Sequence, residues 1–99
     1  MIKLDISEEA NEDMFDIWYF IAIENANPNN ADKFIEEFDE IFYIIARNPL
    51  IGAARDEIVK GIRQVVFRGY LIFYFPSKKG IEIIRILNGA KDILKEMKK

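Results

Sequence analysis

The stretch Asn27-Pro28-Asn29-Asn30-Ala31-Asp32-Lys33-Phe34-Ile35-Glu36-Glu37-Phe38-Asp39-Glu40-Ile41-Phe42-Tyr43-Ile44-Ile45-Ala46-Arg47-Asn48-Pro49 reads as one amphipathic helix with both ends specified. Asn27 is placed to cap it, and Pro28 takes the first helical position, where a missing N–H costs nothing. Ala31, Phe34, Ile35, Phe38, Ile41, Phe42 and Ile45 recur at helical spacing and form one apolar stripe. Asp32, Glu36, Glu37, Asp39 and Glu40 lie largely off that stripe. Pro49 disfavours helical backbone in the residue before it, so the helix should end near Asn48. A stripe this apolar needs a second layer to bury it, and Phe34, Phe38, Ile41, Phe42 and Ile45 are expected against a sheet.

Upstream, Ile2, Leu4 and Ile6 alternate with Lys3 and Asp5, the pattern of a half-buried strand. Ser7 then caps a first helix running to about Glu24, with Glu8 and Glu9 at its positive end. Ala10, Met14, Ile17, Trp18 and Ile21 make its stripe, which Phe15, Tyr19, Phe20 and Ile23 widen beyond one contact face. The reading adopted is a helix packed on two sides; the alternative leaves some aromatics exposed for a partner. The short link over residues 25–30 makes the two helices an antiparallel hairpin.

Downstream, residues 49–61 are irregular, with Gly52 and Gly61 as turn points. Strands are predicted over 62–67, 70–75 and 81–87, the last two joined by the hairpin loop Ser77-Lys78-Lys79-Gly80. Residues 88–92 turn into a short helix or fray. The order is β-α-α-β-β-β, an α+β fold in which a helical hairpin covers one face of a small twisted, mainly antiparallel sheet. The opposite face is expected to be partly open, concave and rimmed by cations.

Ninety-nine residues make one domain, residues 1–99, burying roughly 60–65% of the unfolded surface. No apolar run spans a bilayer, and the amino terminus lacks the pattern of a signal peptide. Cysteine is absent, which excludes disulfides and thiolate chemistry and suits a reducing cytoplasm. Histidine is also absent, removing the commonest general base and zinc ligand. The net charge of −3 hides a division: residues 1–54 carry three cations against twelve anions, and residues 55–99 carry eleven cations against five anions. That asymmetry reads either as a charged partner surface or as solvated acidic helices offset by the cations. The helical acidic clusters lack converging ligand spacing and read as a solvated face rather than a metal site.

Several local stretches resemble the RelE/ParE toxin superfamily, nearer its ParE branch. Ile17-Trp18-Tyr19-Phe20-Ile21-Ala22 followed by Asn27-Pro28, Ala31 and Phe34 looks like the ParE helical hairpin, and Asn48-Pro49 with Gly52 like its helix exit. Gly61-Ile62-Arg63 and Gly69-Tyr70-Leu71-Ile72-Phe73-Tyr74 resemble the middle strands. Ile84-Arg85-Ile86-Leu87-Asn88-Gly89-Ala90-Lys91-Asp92-Ile93 resembles the family's Arg on the last strand followed by a Gly-Ala-Arg/Lys-Asp turn. The resemblance implies the toxin component of a type II toxin–antitoxin system, with a cognate antitoxin as partner. RelE-type members cut mRNA on the ribosome, whereas ParE-type members block DNA gyrase and trap its cleavage complex.

Fold alone does not choose between these activities. RNA cleavage needs groups to activate a 2′-hydroxyl, stabilise a pentavalent phosphate and protonate the leaving oxygen. Here Leu71 stands where ribonuclease relatives commonly carry Arg, Asn88 where many carry His, and no Tyr follows Tyr74. The expectation is therefore a gyrase inhibitor with no catalytic residue, cofactor, metal, membrane contact or small-molecule substrate. Its target-binding residues, by resemblance, are Arg85, Asn88, Lys91, Asp92 and Arg63, aided by a basic tail of Lys95, Lys98 and Lys99. The alternatives are a ribosome-dependent mRNA endonuclease and a non-toxic antitoxin-binding module. Arg85 reads equally as a structural residue paired with a carboxylate such as Asp92. Arg63 reads as a loop anchor to Asp56 or Glu57, and Tyr74 as a packing residue with a wet hydroxyl. The antitoxin is expected to fold onto exposed apolar surface, its acidic residues meeting the basic second half.

Overall fold

The helical hairpin forms where the caps place it. In the computed structural model, which describes residues 2–89 and 92–97, strand β1 (Lys3–Ile6) leads into helix α1 (Glu8–Tyr19). Ser7 Oγ accepts the Ala10 N–H at 3.0 Å, which satisfies one of the unpaired first-turn donors. The helix then widens into a π-turn over Phe20–Glu24, with the Asn25 N–H on the Phe20 carbonyl, and stops at Ala26, whose φ is +52°. Helix α2 (Pro28–Arg47) starts under the cap expected for it, Asn27 Oδ1 accepting the Asn30 N–H at 3.3 Å. Trp18 Nε1 donates to Asp32 Oδ1 at 2.8 Å and ties α1 to α2.

Five strands form the sheet, in the order β1-β5-β4-β3-β2, with β2 (Ala53–Ala54), β3 (Arg63–Phe67), β4 (Tyr70–Ser77) and β5 (Gly80–Asn88). Strand β1 runs parallel to β5, and the other pairings are antiparallel. Gly80 pairs with Lys3, and a Cβ there would stand 1.8 Å from the Lys3 carbonyl oxygen, so only glycine lets β1 close against the hairpin. Strand β2 was not expected: two alanines are too short to show a period.

The core lies between the hairpin and the sheet. Phe38, Phe42 and Ile45 of α2 are fully covered by Ile72, Tyr74, Ile81, Ile83 and Ile86. Phe34 and Ile41 reach the same cluster but remain half-buried. Each fully buried side chain of this size contributes about 1.5–3 kcal/mol. Phe38 stacks on Phe34 at 5.1 Å between ring centroids and meets the edge of Phe67 at 5.1 Å.

A bulge in β5 divides its two faces. Phe73 pairs with Arg85 but Tyr74 pairs with Ile83, so Ile84 is the extra residue. Ile81, Ile83 and Ile86 therefore all face the helices, while Arg85 and Leu87 share the other face with Phe73 and Leu71. That second face is not the open, cation-rimmed surface the alternation suggested. Phe73, Leu87 and Ile62 form a second buried cluster, covered by Ile58 and by Ile93 and Met97 of a short helix α3 (Ile93–Met97). The reason is written in β4: Leu71 to Phe75 is apolar at every position, so both faces must be covered.

The first helix also departs from expectation. Ala10, Ile17 and Ile21 are buried, but Phe15 (60% exposed), Tyr19, Phe20 (51%) and Ile23 face outward, so α1 packs on one side only. No helix among the described residues is long and apolar enough to cross a membrane.

Candidate functional site

The exit of β5 is organised by a carboxylate 72 residues upstream. Strand β1 ends at Ile6, paired with Ile83, and leaves the rest of the β5 edge without a strand. The start of α1 takes over that edge. Ser7 N–H donates to the Ile83 carbonyl at 2.9 Å and Ser7 Oγ to the Ile84 carbonyl at 2.7 Å. Asp13 Oδ2 then accepts the Ile86 N–H at 2.9 Å, and the same carboxylate grips Arg85, accepting from Nε at 2.8 Å and Nη2 at 2.9 Å. Arg85 Nη1 donates onward to the Glu96 carbonyl at 3.1 Å. One guanidinium thus joins α1, β5 and α3, and its positive charge suits the carboxyl end of α3.

This clasp is largely dry, with side-chain exposures of 18% for Arg85 and 12% for Asp13. The hydrogen bonds from Asp13 hold the Arg85 guanidinium above its usual pKa range, against the lowering effect of burial. The carboxylate that pairs Arg85 is therefore Asp13, not Asp92. Asp92 instead starts α3, its Oδ1 accepting the Lys95 N–H at 3.3 Å and its carbonyl the Glu96 N–H at 3.0 Å.

Beside the clasp lies a groove of about 170 Å³ lined by Asp13, Asp16, Ile17, Phe20, Tyr70, Ile86, Leu87 and Asn88. Ile17, Phe20 and Ile86 give it apolar lining, and Asp13, Asp16, Tyr70 and Asn88 give it polar groups. Burial pushes the Tyr70 phenol up from its ordinary value. Arg85 and Asn88 stand toward the end of β5 and Asp92 starts α3, which Arg85 ties to the strand, while Lys91, Lys98 and Lys99 lie outside the described residues.

Arg63 does not join them. Its Nη1 donates to the carbonyls of Leu50 at 3.2 Å and Gly52 at 2.5 Å, anchoring the loop before β2 through backbone rather than through Asp56 or Glu57. Those acids are used elsewhere: Asp56 Oδ1 accepts the Gly61 N–H, and Glu57 is held below the usual carboxylate range by its hydrogen bond from Arg55. Tyr74 is fully buried, and its hydroxyl accepts the Gly52 N–H at 2.9 Å while donating to the Pro49 carbonyl at 2.8 Å. The hydroxyl is thus satisfied by protein rather than by solvent. Gly52 is required there, since a Cβ would stand 2.6 Å from that oxygen. Arg68 pairs with Glu37 at 2.9 Å and lies over the Phe34 and Phe67 rings. Arg55, Arg63, Arg68 and Arg85 are all engaged within the molecule.

Sequence reasoning missed Asp13, Asp16, Phe20 and Tyr70 as parts of this region. A signal for Asp13 was present: it falls between Ala10 and Ile17 on the buried stripe of α1, a charge where the pattern asks for an apolar residue. Its partner lies too far along the chain for spacing to reveal. Among the described residues no group of three acidic side chains converges to hold a metal.

Comparison with known proteins gives a consistent picture. Residues 4–93 match the family described as the ParE toxin of the type II toxin–antitoxin system, parDE. Toxin ParE1 of Mycobacterium tuberculosis, in strains CDC 1551 / Oshkosh and H37Rv, is 27% identical over 89 residues, covering 89% of this chain and 90% of the relative. A solved structure described as a chromosomal ParDE system from P. aeruginosa superposes with a TM-score of 0.67 at 24% identity, over 89% of this chain and 96% of that one. At that identity the likeness is one of fold.

Proposed function

The chain belongs to the family of ParE toxins of type II toxin–antitoxin systems, and from that premise we propose that it acts in the cytoplasm by binding DNA gyrase rather than by cutting RNA, and that a cognate antitoxin silences it. The observation that carries the choice is the internal engagement of three groups an RNA cleaver could use. Arg63 is spent on two loop carbonyls, Arg85 on Asp13 and the Glu96 carbonyl, and Tyr74 is sealed between Gly52 and Pro49. Leu71 packs into the second cluster and Asn88 is no proton shuttle. An inhibitor needs no proton transfer, only a surface that favours one state of its target.

The target surface in this reading is the end of β5 with its following turn: Asn88, Lys91 and Asp92, held in place by Arg85, with Arg63 keeping the distant loop in shape. Two assays test it. Gyrase supercoiling should be inhibited, with trapped DNA breaks, and ribosome-dependent mRNA cleavage should be absent. Codon-positioned cuts with gyrase untouched would overturn the proposal in favour of an endonuclease. Silence in both would favour a module that only binds antitoxin.

A further inference from the structure

We propose that Asn88 is a site of spontaneous covalent modification, at which the Asn88-Gly89 step loses ammonia through a succinimide and leaves a carboxylate at the end of β5. In this reaction the backbone nitrogen of the following residue attacks the asparagine side-chain carbonyl carbon. Asparagine is a chemically labile residue, and the residue after it governs which one reacts. Of the seven asparagines, Asn27 and Asn48 precede proline, whose nitrogen has no proton to lose. Asn11, Asn29 and Asn30 lie within helices and precede Glu12, Asn30 and Ala31, and Asn25 precedes Ala26. Only Asn88 precedes glycine, whose nitrogen is flanked by no Cβ and whose backbone is the least restricted.

The fold exposes this step and also supplies a brake on it. Asn88 is the last residue of β5, paired with Tyr70, and both Asn88 and Gly89 are exposed. The Gly89 N–H donates to the Gly69 carbonyl at 2.9 Å. While that bond stands, the nitrogen keeps its proton and is turned away from attack. It lies just past the end of the ladder, where local opening costs least. Once it opens, the Gly89 nitrogen loses its proton to base and its electron pair closes on Asn88 Cγ. The Cγ–Nδ2 bond breaks and ammonia leaves. Water then opens the ring at either carbonyl, giving aspartate or isoaspartate. Each product adds one negative charge in the groove that Asn88 shares with Asp13 and Asp16, where like charges disfavour one another. Isoaspartate also inserts a methylene into the main chain between β5 and α3, the helix that Arg85 holds through the Glu96 carbonyl. Both products alter the surface proposed to meet gyrase, so inhibition decays as the molecule ages. The modification stands on the chain alone; that last consequence rests on the gyrase reading.

The test holds the full chain in warm, mildly alkaline buffer and then digests it with trypsin, which cuts after Arg85 and Lys91 to release Ile86-Leu87-Asn88-Gly89-Ala90-Lys91. That peptide should gain about 1 Da and split into two chromatographic forms before any other asparagine peptide changes mass. Urea should speed the change by opening the Gly89–Gly69 bond. Asn88→Gln should not show it, since the longer side chain cannot close the five-membered ring. Asn88→Asp, freshly made, should show the weakened gyrase inhibition of the aged chain. A peptide that keeps its mass while another asparagine converts first, or a rate indifferent to urea, would overturn the proposal. A modified chain that inhibits gyrase as fully as fresh chain would overturn the decay of activity. Fresh chain that leaves gyrase untouched would refute the proposed function, while the mass change still decides the modification.

Discussion

Replacing Asp13 with Ala removes three acceptor contacts at once. Arg85 Nε and Nη2 lose their carboxylate, leaving only the Glu96 carbonyl for the guanidinium among the contacts described above, and the Ile86 N–H loses its acceptor. Breaking a buried ion pair by deleting one partner costs about 3–5 kcal/mol, within which an unsatisfied backbone N–H accounts for about 1–3 kcal/mol. The guanidinium retains 18% exposure, so water reaches part of it and the lower end applies. Asp13→Ala should therefore lose about 3 kcal/mol in equilibrium urea unfolding, a large share of the 5–15 kcal/mol typical of a domain. Asp13→Asn, which keeps an acceptor, should lose clearly less. The pair Asp13→Leu with Arg85→Met should recover most of the loss, since apolar replacement of a buried pair is often neutral, leaving the Ile86 N–H as the residual cost. A loss below 1 kcal/mol for Asp13→Ala, or no coupling between the two positions in a double-mutant cycle, would refute the clasp. The same variants separate two roles for Arg85 in gyrase inhibition. If its guanidinium touches the target, Arg85→Ala should abolish inhibition while Asp13→Ala retains much of it. If it works by positioning the end of β5, both should weaken inhibition alike.

Phe38→Ala should cost about 3–5 kcal/mol, because the ring is fully buried among Phe34, Phe42, Phe67 and Tyr70; a urea midpoint implying under 1 kcal/mol would misplace the core. Tyr74→Phe should lose about 1–3 kcal/mol by stranding the Gly52 N–H and the Pro49 carbonyl. Burial raises the Tyr74 phenol above its ordinary value of 10.0, so the native state holds that proton more tightly than the unfolded chain. Its contribution is complete below about pH 10 and is lost as pH rises through the folded value; the Phe variant should flatten that alkaline loss in stability-versus-pH curves, and an unchanged slope would count against it. Ala26→Gly should gain up to about 1 kcal/mol, since φ of +52° strains alanine but not glycine; a lower thermal midpoint would contradict this account of the hairpin's turn.

The parts of the fold legible in the sequence are those whose signals are local. Asn27-Pro28 and Asn48-Pro49 bracket α2 because capping and proline sterics act over one or two residues, and the stripe of α2 follows from helical period alone. The β4–β5 hairpin announces itself through its composition and its Lys78-Lys79 turn. What escaped depends on distant partners. The cover on the second sheet face is not legible, because Ile58, Ile62, Ile93 and Met97 give no periodic hint that they form it. Aromatic abundance in α1 suggests burial on two sides but does not say whether a second layer exists. Arg85, Asn88 and Lys91 stand close along the chain, yet the Asp13 that holds Arg85 sits on another element. Arg63 anchors a loop, but through the Leu50 and Gly52 carbonyls rather than Asp56 or Glu57, and carbonyl acceptors carry no sequence signature.

The parallel seam between β1 and β5 has a consequence for the chain as it is made. Lys3 waits for Gly80 before it has a strand to join, so the sheet cannot close until the chain has left the ribosome as far as β5. The helical hairpin is complete at Arg47, about forty residues before β5 ends at Asn88. At about 5–20 residues per second, that interval lasts roughly 2–8 s. Through it Phe38 and Phe42 lack a complete sheet to lie against, and until Arg85 is made the Asp13 carboxylate lacks its guanidinium. The clasp and the end of β5 form only after Arg85 and Asn88 have been made, so a chain cut short before Gly80 has both helices and none of the surface proposed to meet gyrase.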